Sequence, residues 1–240
     1  MSVVVVTGAT GTLGRVLVPA LHAAGHHVRA MTRTAGRVRS SYEVVADVLD
    51  PSTLGPALEG ADCVVHLASN PRKDTRRTEV DGTRNVLAAR PPGASLIYLS
   101  IVGCDRTPFP YYRAKTAAEA LVRAAPDGYV VRATQFHSLA GFMTKPRVLG
   151  RSVVPRGALM QPVAEDFVAS VLVGAVGDPG GAPAEIGGPE QLTMAEIARR
   201  VHGSHVISLP IPGRFVAAVR RGSLLAGPDA VTGGAPLGAV

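Results

Sequence analysis

The sequence predicts an α/β protein whose core is a doubly wound parallel sheet. The first observation is the start of the chain, where the apolar run Val3–Val6 precedes three glycines, Gly8, Gly11 and Gly14. The second is an alternation of short apolar runs with helical patterns up to about residue 134, typical of parallel strands joined by helices. The third is size and composition, because 240 residues with 46% hydrophobic and 4% aromatic side chains suit one large α/β domain.

The opening segment predicts a buried strand, a glycine turn and then a helix over Arg15–Ala24. Gly8 allows a tight turn, Gly11 lets a pyrophosphate approach the backbone, and Gly14 lets the helix pack closely on the strand. The helix N-terminus adds unpaired N–H groups and a positive dipole for phosphate. We therefore expect a Rossmann-like dinucleotide site that begins with Thr7, Gly8, Thr10, Gly11, Thr12, Leu13 and Gly14.

The end of the second strand indicates which dinucleotide binds. This strand is predicted over His27–Thr32 and is followed by Arg33, with Arg37 and Arg39 nearby. An acidic residue here holds a free ribose 2′-hydroxyl, whereas an arginine accommodates a 2′-phosphate. Arg33 therefore favours NADP(H), with NAD(H) possible, and the alternative is a loop of solvated arginines.

Two further strands complete the predicted cofactor edge of the sheet. They cover Tyr42–Ala46 and Asp62–Leu67, with a short helix over Pro51–Glu59 between them. Asp47 either accepts a hydrogen bond from the adenine amino group or caps its own loop. His66 lies within an apolar strand and is expected in the core. The predicted cofactor contacts at this edge are Asp47, Val48, Leu67, Ala68 and Ser69.

The candidate catalytic pair follows the fifth strand. Helices are predicted over Thr78–Ala89 and Tyr111–Ala125, with the strand Ser95–Ser100 between them. Tyr111 and Lys115 are four residues apart and therefore share one face of the second helix. Tyr112 is the rival tyrosine, for which we predict a packing role.

These motifs together resemble the short-chain dehydrogenase/reductase superfamily, more narrowly its atypical, NmrA-like or epimerase-like branch. The resemblance covers residues 1 to about 175. The motifs that carry it are the TGATGTLG turn, Arg33, Asp47, the His66-Leu-Ala strand end, the helix that contains Val80-Asp-Gly-Thr-Arg-Asn, and Tyr111-x-x-x-Lys115. The resemblance implies a nicotinamide cofactor and Tyr111 as the catalytic acid or base. It further implies that Lys115 contacts the cofactor ribose and that Ser100, eleven residues before Tyr111, holds the substrate oxygen.

The remainder of the chain is expected to build a small substrate-binding lobe on a single domain of residues 1–240. A sixth strand over Tyr129–Thr134 leads into an irregular stretch, Gln135–Met143. In relatives this stretch begins the substrate pocket, which implies a wall of Phe136, His137, Phe142 and Met143. His137 is a polar substrate contact, a second acid, or only a loop histidine. The lobe is assigned to residues of about 135–160 and 185–225, and residues 226–240 are expected to form a flexible tail.

Later elements follow from local patterns. We predict one or two strands within Val153–Val163, helices over Ala164–Val176 and Met194–His202, a strand over Glu185–Gly188 and a basic helix over Pro210–Leu225. Thr193 and Glu196 have the spacing of a capping box at the start of the Met194 helix.

Charge and cysteine content argue against several classes of protein. The net charge of +7 comes almost entirely from scattered arginines, because Lys73, Lys115 and Lys145 are the only lysines. No stripe of basic and aromatic residues predicts nucleic-acid binding. No apolar run is long enough for a secretory signal or a membrane span, and Cys63 and Cys104 lack metal-ligand spacing. We expect a cytoplasmic protein with a small-molecule substrate, no bound metal and an oligomeric state that the sequence leaves open.

Three functions fit these residues. The first is an NADPH-dependent reductase of a carbonyl or quinone-like compound, in which Tyr111 donates a proton and Lys115 lowers the pKa of its phenol. The second is an epimerase or dehydratase of the sugar-nucleotide type, which retains its NAD(P). The third is a non-catalytic NADP(H) sensor of the NmrA-like kind, although such proteins typically lack the tyrosine and lysine.

Overall fold

The computed structural model describes residues 1–38, 42–146, 148–203 and 205–238. Its strands are β1 (Val3–Thr7), β2 (His27–Thr32), β3 (Glu43–Val45), β4 (Cys63–His66), β5 (Ser95–Ile101), β6 (Gly128–Ala133), β7 (Ser152–Pro155), β8 (Leu159–Met160), β9 (Glu185–Gly187), β10 (Leu192–Thr193), β11 (Val206–Leu209) and β12 (Val231–Thr232). Its α-helices are α1 (Gly14–Ala23), α2 (Pro51–Leu58), α3 (Gly82–Ala89), α4 (Pro110–Ala124), α5 (His137–Thr144), α6 (Glu165–Gly177), α7 (Met194–His202) and α8 (Arg214–Arg220). Among the helices of these ranges, none is long and apolar enough to cross a membrane.

The chain forms two compact units. The first unit comprises Met1–Ser100, Arg113–Val131 and Ala169–Ala182. The second comprises Ile101–Tyr112, Arg132–Val168 and Pro183–Val240, of which the structure describes all but two internal residues and the C-terminal pair. The residues that the sequence analysis gave to a small lobe, about 135–160 and 185–225, fall within the second unit, which also contains Ile101–Tyr112.

The first unit contains a sheet in the order β6-β5-β4-β1-β2-β3. β1 pairs in parallel with β2 and with β4, β2 pairs with β3, and β4 pairs with β5. Val4, Val5 and Val6 of β1 are fully buried, which is why a strand of successive valines occupies the centre of this order. The predicted Rossmann-like parallel sheet is therefore confirmed, and the carboxyl ends of four neighbouring strands, β4, β1, β2 and β3, meet at one edge.

Helices pack on this sheet through small residues and apolar side chains. One core cluster joins Val5 and Leu96 of the sheet to Leu54 of α2, Val86 of α3 and Ala118 of α4. A Cβ atom at Gly82 would lie 3.0 Å from Val48 Cγ2, so the glycine lets α3 approach the loop after β3. Asp50 caps α2 by accepting a hydrogen bond from the Ser52 backbone N–H, directly before the predicted Pro51 start.

The described part of the second unit is built from short strands, the helices α5, α7 and α8, and the first turns of α4 and α6. The last two residues of β6 pair in parallel with β9, and β9 pairs with β12. β7 pairs in parallel with β11, whereas β8 and β10 are antiparallel. The predicted capping box at Thr193 and Glu196 is present, and α7 ends at Gly203 in the left-handed conformation.

Three predicted segments differ in the structure. Gln135–Met143 is not irregular, because α5 begins at His137 and its Leu, Ala and Met side chains favour a helix. The basic helix predicted over Pro210–Leu225 shortens to α8, bounded by Gly213 and Gly222, whose positive φ angles of 129° and 75° interrupt it. The start of the helix predicted at Thr78 is a π-helical turn, Arg77–Asp81, which continues into α3.

The segment predicted as a flexible tail contains β12 in the structure. Val231 pairs with Ile186, and Thr232 pairs with Gly187 of β9. Leu237 is buried within the apolar core of the second unit. This segment is anchored by contacts with residues more than 40 positions away, which local composition does not reveal.

Candidate functional site

The glycine turn has the close contacts that the sequence predicted. Gly8 has a φ of +67°, and a Cβ atom there would lie 2.8 Å from the Ala68 backbone nitrogen. A Cβ atom at Gly14 would lie 2.5 Å from the Gly8 carbonyl oxygen, so α1 packs directly on the turn. At Gly11 the corresponding distance to Gly8 O is 3.1 Å, and Gly11 itself is exposed. Gly8 and Gly14 therefore shape the loop, and Gly11 presents its backbone outward.

A cavity of about 310 Å³ lies at this edge of the first unit. It is lined by nine predicted cofactor residues, Gly8, Thr10, Gly11, Arg33, Asp47, Val48, Leu67, Ala68 and Ser69, together with Met31, Thr32, Ala46, Leu49, Asn70 and Thr78. Five other predicted residues do not line it, namely Thr7, Thr12, Leu13, Gly14 and Lys115. The Asp47 carboxylate both borders the cavity and accepts a hydrogen bond from the Leu49 N–H at 3.0 Å, so the cap role is present.

A second cavity of about 370 Å³ in the first unit has a basic wall. It is lined by Thr10, Arg15, Thr32, Arg33, Thr34, Gly36 and Arg37, and no carboxylate is among these described residues. Arg33 and Thr10 border both cavities. Arg39 lies outside the described residues. Three arginines around one recess suit a phosphate group.

The loop that carries Arg33 and Arg37 is held by a carboxylate that the sequence analysis missed. Glu43 accepts hydrogen bonds from the backbone N–H groups of Gly36, Arg37 and Val38 at 2.6, 2.8 and 3.1 Å. These bonds, that from Gly36 foremost, hold the pKa of the partly buried Glu43 below its usual value. The Thr32 hydroxyl donates a fourth hydrogen bond at 3.1 Å. Glu43 thus fixes the backbone from which the arginines extend.

Lys115 is buried in the first unit among three partners. Its ammonium donates a hydrogen bond to the Leu99 carbonyl at 2.7 Å and lies 3.3 Å from Glu79 Oε2. It also lies 4.1 Å from the centroid of the Tyr98 ring. Only 3% of Lys115 is exposed, so this charge is compensated by the surrounding protein.

Glu79 connects Lys115 to the wall of the first cavity. Its carboxylate accepts hydrogen bonds from Ser69 Oγ at 2.6 Å, from the Asn70 N–H at 3.2 Å and from the Tyr98 hydroxyl at 3.0 Å. Burial raises the pKa of Glu79, but the Lys115 ammonium and the hydrogen bonds from Ser69 and Tyr98 together hold this pKa below its usual value. Glu79 is therefore a buried carboxylate anion that pairs with Lys115.

His66 belongs to the core, as its strand predicted, and it links two hydroxyl groups. Thr7 Oγ1 accepts from the N–H groups of Leu67 and Ala68, both at 3.1 Å, so its own proton is donated to His66 Nδ1 at 2.7 Å. The His66 Nε2–H then donates to Thr83 Oγ1 at 3.1 Å. Burial lowers the pKa of His66 to about 4, so this ring is neutral at neutral pH. Thr7 therefore holds the backbone of Leu67 and Ala68, two residues that line the first cavity.

The candidate catalytic residues belong to different units. Tyr111 lies in the first turn of α4 in the second unit, whereas Ser100, only 2% exposed, and Lys115 belong to the first unit. The rings of Tyr111 and Tyr112 have centroids 5.9 Å apart. Burial, with a smaller contribution from Cys104, raises the pKa of Tyr112 to about 12, and its ring packs against Phe109 and Phe215. These contacts agree with the packing role predicted for Tyr112.

The second unit contains an apolar cavity of about 50 Å³. Its lining comprises Tyr112, Gln135, Leu139, Met143, Pro155, Ala158, Met160, Met194, Phe215, Val216, Val219 and Leu224. Leu139 and Met143 are four residues apart and share the face of α5 that borders the cavity. Phe136, His137 and Phe142, predicted as substrate wall, do not line it, and Phe142 is 54% exposed.

Sequence reasoning missed Glu79, Tyr98 and Asn70, and one local signal pointed to the first. Glu79, Thr83 and Val86 are all buried, at the spacing that places them on one helical face. A carboxylate on the apolar face of a helix needs a buried partner, and Lys115 is the only buried lysine among the described residues. Tyr98 and Asn70 carried no comparable signal.

Comparison with known proteins finds a family and a fold. The model of a family described as NAD(P)H-binding matches residues 8–179. L-arabinose 1-dehydrogenase (NAD(P)(+)) of Haloferax volcanii is 42% identical over 95 residues, which span 37% of this chain and 36% of the dehydrogenase. The chain thus matches well under half the length of this relative.

Solved structures share the fold at low identity. NADPH-dependent quinone oxidoreductase from Escherichia coli, complexed with NADPH, superimposes with a TM-score of 0.72 at 16% identity, covering 93% of this chain and 91% of that one. UDP-N-acetylglucosamine 4-epimerase from Bacillus cereus superimposes with a TM-score of 0.68 at 19% identity, and the superposition covers 96% of this chain and 100% of the epimerase. Reductases and epimerases are thus both built on this architecture.

Proposed function

The chain belongs to the NAD(P)H-binding family, and from this premise we propose that it is an NADPH-dependent oxidoreductase that reduces a carbonyl or quinone-like small molecule. The observation that carries the proposal is the pair of adjoining cavities in the first unit. The glycine turn and Asp47 border one, and Arg33 and Arg37 border the other. Backbone N–H groups and arginines are the donors that a dinucleotide with a 2′-phosphate requires.

In this proposal NADPH supplies the hydride, and the protein supplies orientation and a proton. Tyr111 donates the proton to the substrate oxygen, and Ser100 holds that oxygen. A free phenol has a pKa of about 10, so a nearby positive charge is needed to bring it towards neutral pH. Lys115 supplies that charge and a contact to the cofactor ribose. The ion pair with Glu79 supports this role, because it gives the buried Lys115 a counter-charge at 3.3 Å.

The experiment that tests the proposal is NADPH consumption with a panel of ketones, aldehydes and quinones, followed by the loss of NADPH absorbance. Tyr111→Phe keeps the ring and removes one oxygen, so we expect turnover to fall by ~10²–10⁴-fold with NADPH affinity within a few-fold of wild type. Tyr129→Phe is the matched control, because Tyr129 lies in β6 and borders none of the three cavities described above. Equal turnover in wild type and Tyr111→Phe would remove Tyr111 from the mechanism.

A second candidate is an epimerase or dehydratase that returns the hydride to its substrate, and the superposition with the Bacillus cereus epimerase favours it. Such an enzyme consumes no NADPH and retains its cofactor through purification. A sensor that binds NADP(H) without turnover is the third candidate, and the presence of both Tyr111 and Lys115 argues against it. Cofactor binding without turnover of any acceptor, with Tyr111→Phe altering only a partner's affinity, would favour the sensor.

A further inference from the structure

The wall of the cavity in the second unit is mostly apolar and carries no charged side chain among its described lining residues. Met143, Met160 and Met194, three of the five methionines in the chain, contribute to its wall. None of its described lining residues is an acid, a lysine, an arginine or a histidine. Such a surface gains free energy from apolar groups and loses it when a polar group is buried without a partner.

The polar side chain of Gln135 is already engaged by the protein. Its Nε2 group donates to the Leu224 carbonyl at 3.2 Å, and its Oε1 atom accepts from the Gln161 backbone N–H at 3.0 Å. The Tyr112 phenol remains neutral at neutral pH, because burial raises its pKa to about 12. A diphosphate or a polyhydroxylated ring therefore finds no positive charge in this wall to compensate its desolvation.

The cavity volume limits the size of its occupant. A volume of about 50 Å³ corresponds to roughly three or four water-sized groups, whereas a cavity of ~150 Å³ accommodates benzene. The space suits a branched alkyl group of about three or four carbon atoms. Methionine side chains are flexible, so the wall can adapt to the shape of such a group.

The position of the cavity relates it to the residue proposed as proton donor. Tyr112 lines the cavity, and the Tyr111 ring centroid is 5.9 Å from that of Tyr112 within the same unit. Tyr111 is therefore the immediate neighbour of a residue in the cavity wall. Resting on the proposed reductase function, we infer that the substrate carries a small, neutral, branched alkyl group close to its reducible carbonyl, and that this group binds in the methionine-lined cavity.

The test is NMR of protein labelled with ¹³C in the methionine methyl groups, since the methionines report separate places. Met31 lines the cofactor cavity, Met143, Met160 and Met194 line the apolar cavity, and Met1 is 90% exposed and serves as a reference. We expect 4-methyl-2-pentanone, a neutral ketone with an isobutyl group, to shift the three cavity methionines and to leave Met1 and Met31 unchanged. The matched polar ketone, dihydroxyacetone, should shift none of them.

Affinity should also rise with apolar content. In the series propanone, butanone and 4-methyl-2-pentanone, each added buried carbon should tighten binding by about four-fold. Ala158→Val adds two carbons to a wall residue that is 1% exposed, and it should weaken 4-methyl-2-pentanone binding by at least ~10-fold. This substitution could instead disturb the core. NADPH should therefore shift the Met31 signal by the same amount in the variant as in wild type, which shows that the first unit is intact. The ketone series tests the site without any substitution.

The outcomes separate the two proposals. If 4-methyl-2-pentanone leaves Met143, Met160 and Met194 unshifted, or if dihydroxyacetone binds as tightly, the inference is overturned, even when NADPH shifts Met31. If the ketone shifts the cavity methionines while NADPH leaves Met31 unchanged, the cavity binds apolar ligands and the proposed cofactor function fails.

Discussion

The ion pair between Lys115 and Glu79 shows that a residue recognised by its motif depends on a partner outside the motif. Lys115 could be identified from its spacing to Tyr111, whereas Glu79 lies in the π-helical turn before α3. The side chains of Lys115 and Glu79 are 4% and 0% exposed, so neither charge is solvated by water and each compensates the other. Lys115 is the only buried lysine among the described residues, but Glu79 and Glu119 are both buried, and the sequence alone could not show which of them pairs with Lys115.

We expect Glu79→Gln to lower the free energy of unfolding by ~3 kcal/mol, because it leaves the buried Lys115 ammonium without its counter-charge. Denaturant titration followed by circular dichroism measures this change. Asp81→Asn is the matched control, since it removes one partner of the exposed Asp81–Arg84 pair two residues along the chain. That control should cost less than ~1 kcal/mol. If both variants lost the same free energy of unfolding, the buried pair would contribute no more to stability than the exposed one.

Arg33 is expected to set the cofactor preference. It borders both cavities of the first unit, and one charge-assisted contact to a phosphate is worth ~1.5–3 kcal/mol, a preference of about ten- to a hundredfold. Arg33→Ala should therefore weaken NADPH binding by that factor and leave NADH binding nearly unchanged. Titration of both cofactors measures it, with Arg72→Ala as a control at an exposed arginine that borders neither cavity. Similar wild-type affinities for NADPH and NADH would contradict the assignment.

At the scale of elements, helices and strands were predicted accurately where neighbouring residues determine them, and missed where they depend on distant pairing. Strand β2 occupies the predicted residues, and β1, α1, α2 and α4 end within one or two residues of expectation, because valine runs, prolines and glycines act on their neighbours. Strands β10, β11 and β12 were not predicted. Each is two to four residues long and exists through pairing with a distant strand, such as Val206 with Ser152.

The glycine turn allows binding and folding to be separated by two substitutions. Gly11→Val places a branched side chain on the exposed side of the loop, where we expect pyrophosphate, so NADPH binding should be lost with the far-ultraviolet circular dichroism unchanged. Gly14→Ala places its Cβ 2.5 Å from Gly8 O, which forces α1 away from the turn and should destabilise the fold itself. Normal NADPH binding by a well-folded Gly11→Val protein would show that the loop does not hold phosphate.

At the scale of the whole molecule, the fold class was predictable and the apolar cavity was not. A parallel sheet follows from strand and helix patterns that repeat along the chain. The cavity is assembled from side chains between Tyr112 and Leu224, on six helices and strands and the segments that join them. Their convergence depends on tertiary packing, and the resemblance to relatives located only Met143 within it.

Stability should decrease in mild acid. The pKa of His66 is 6.5 in the unfolded chain and about 4 when folded, so between these values the unfolded chain binds more protons. The stabilisation is fully present above pH 6.5 and is lost as the pH falls towards 4, by ~3 kcal/mol for this one group. The lowered pKa of Glu79 acts in the same direction at lower pH. Denaturant titrations at several pH values measure how steeply the free energy of unfolding falls with pH. His66→Gln should reduce this dependence. A slope that His66→Gln leaves unchanged would assign the effect to other groups.

The methionines of the apolar cavity expose it to oxidative damage. Met143 is 37% exposed, whereas Met160 and Met194 are 1% and 7% exposed, and Met31 in the wall of the cavity proposed to bind the cofactor is 3% exposed. Hydrogen peroxide should therefore oxidise Met143 first among these four, and the sulfoxide would place a polar oxygen in an apolar wall. An oxidised protein would lose its affinity for alkyl groups while its cofactor cavity stayed intact, and a methionine sulfoxide reductase would restore it.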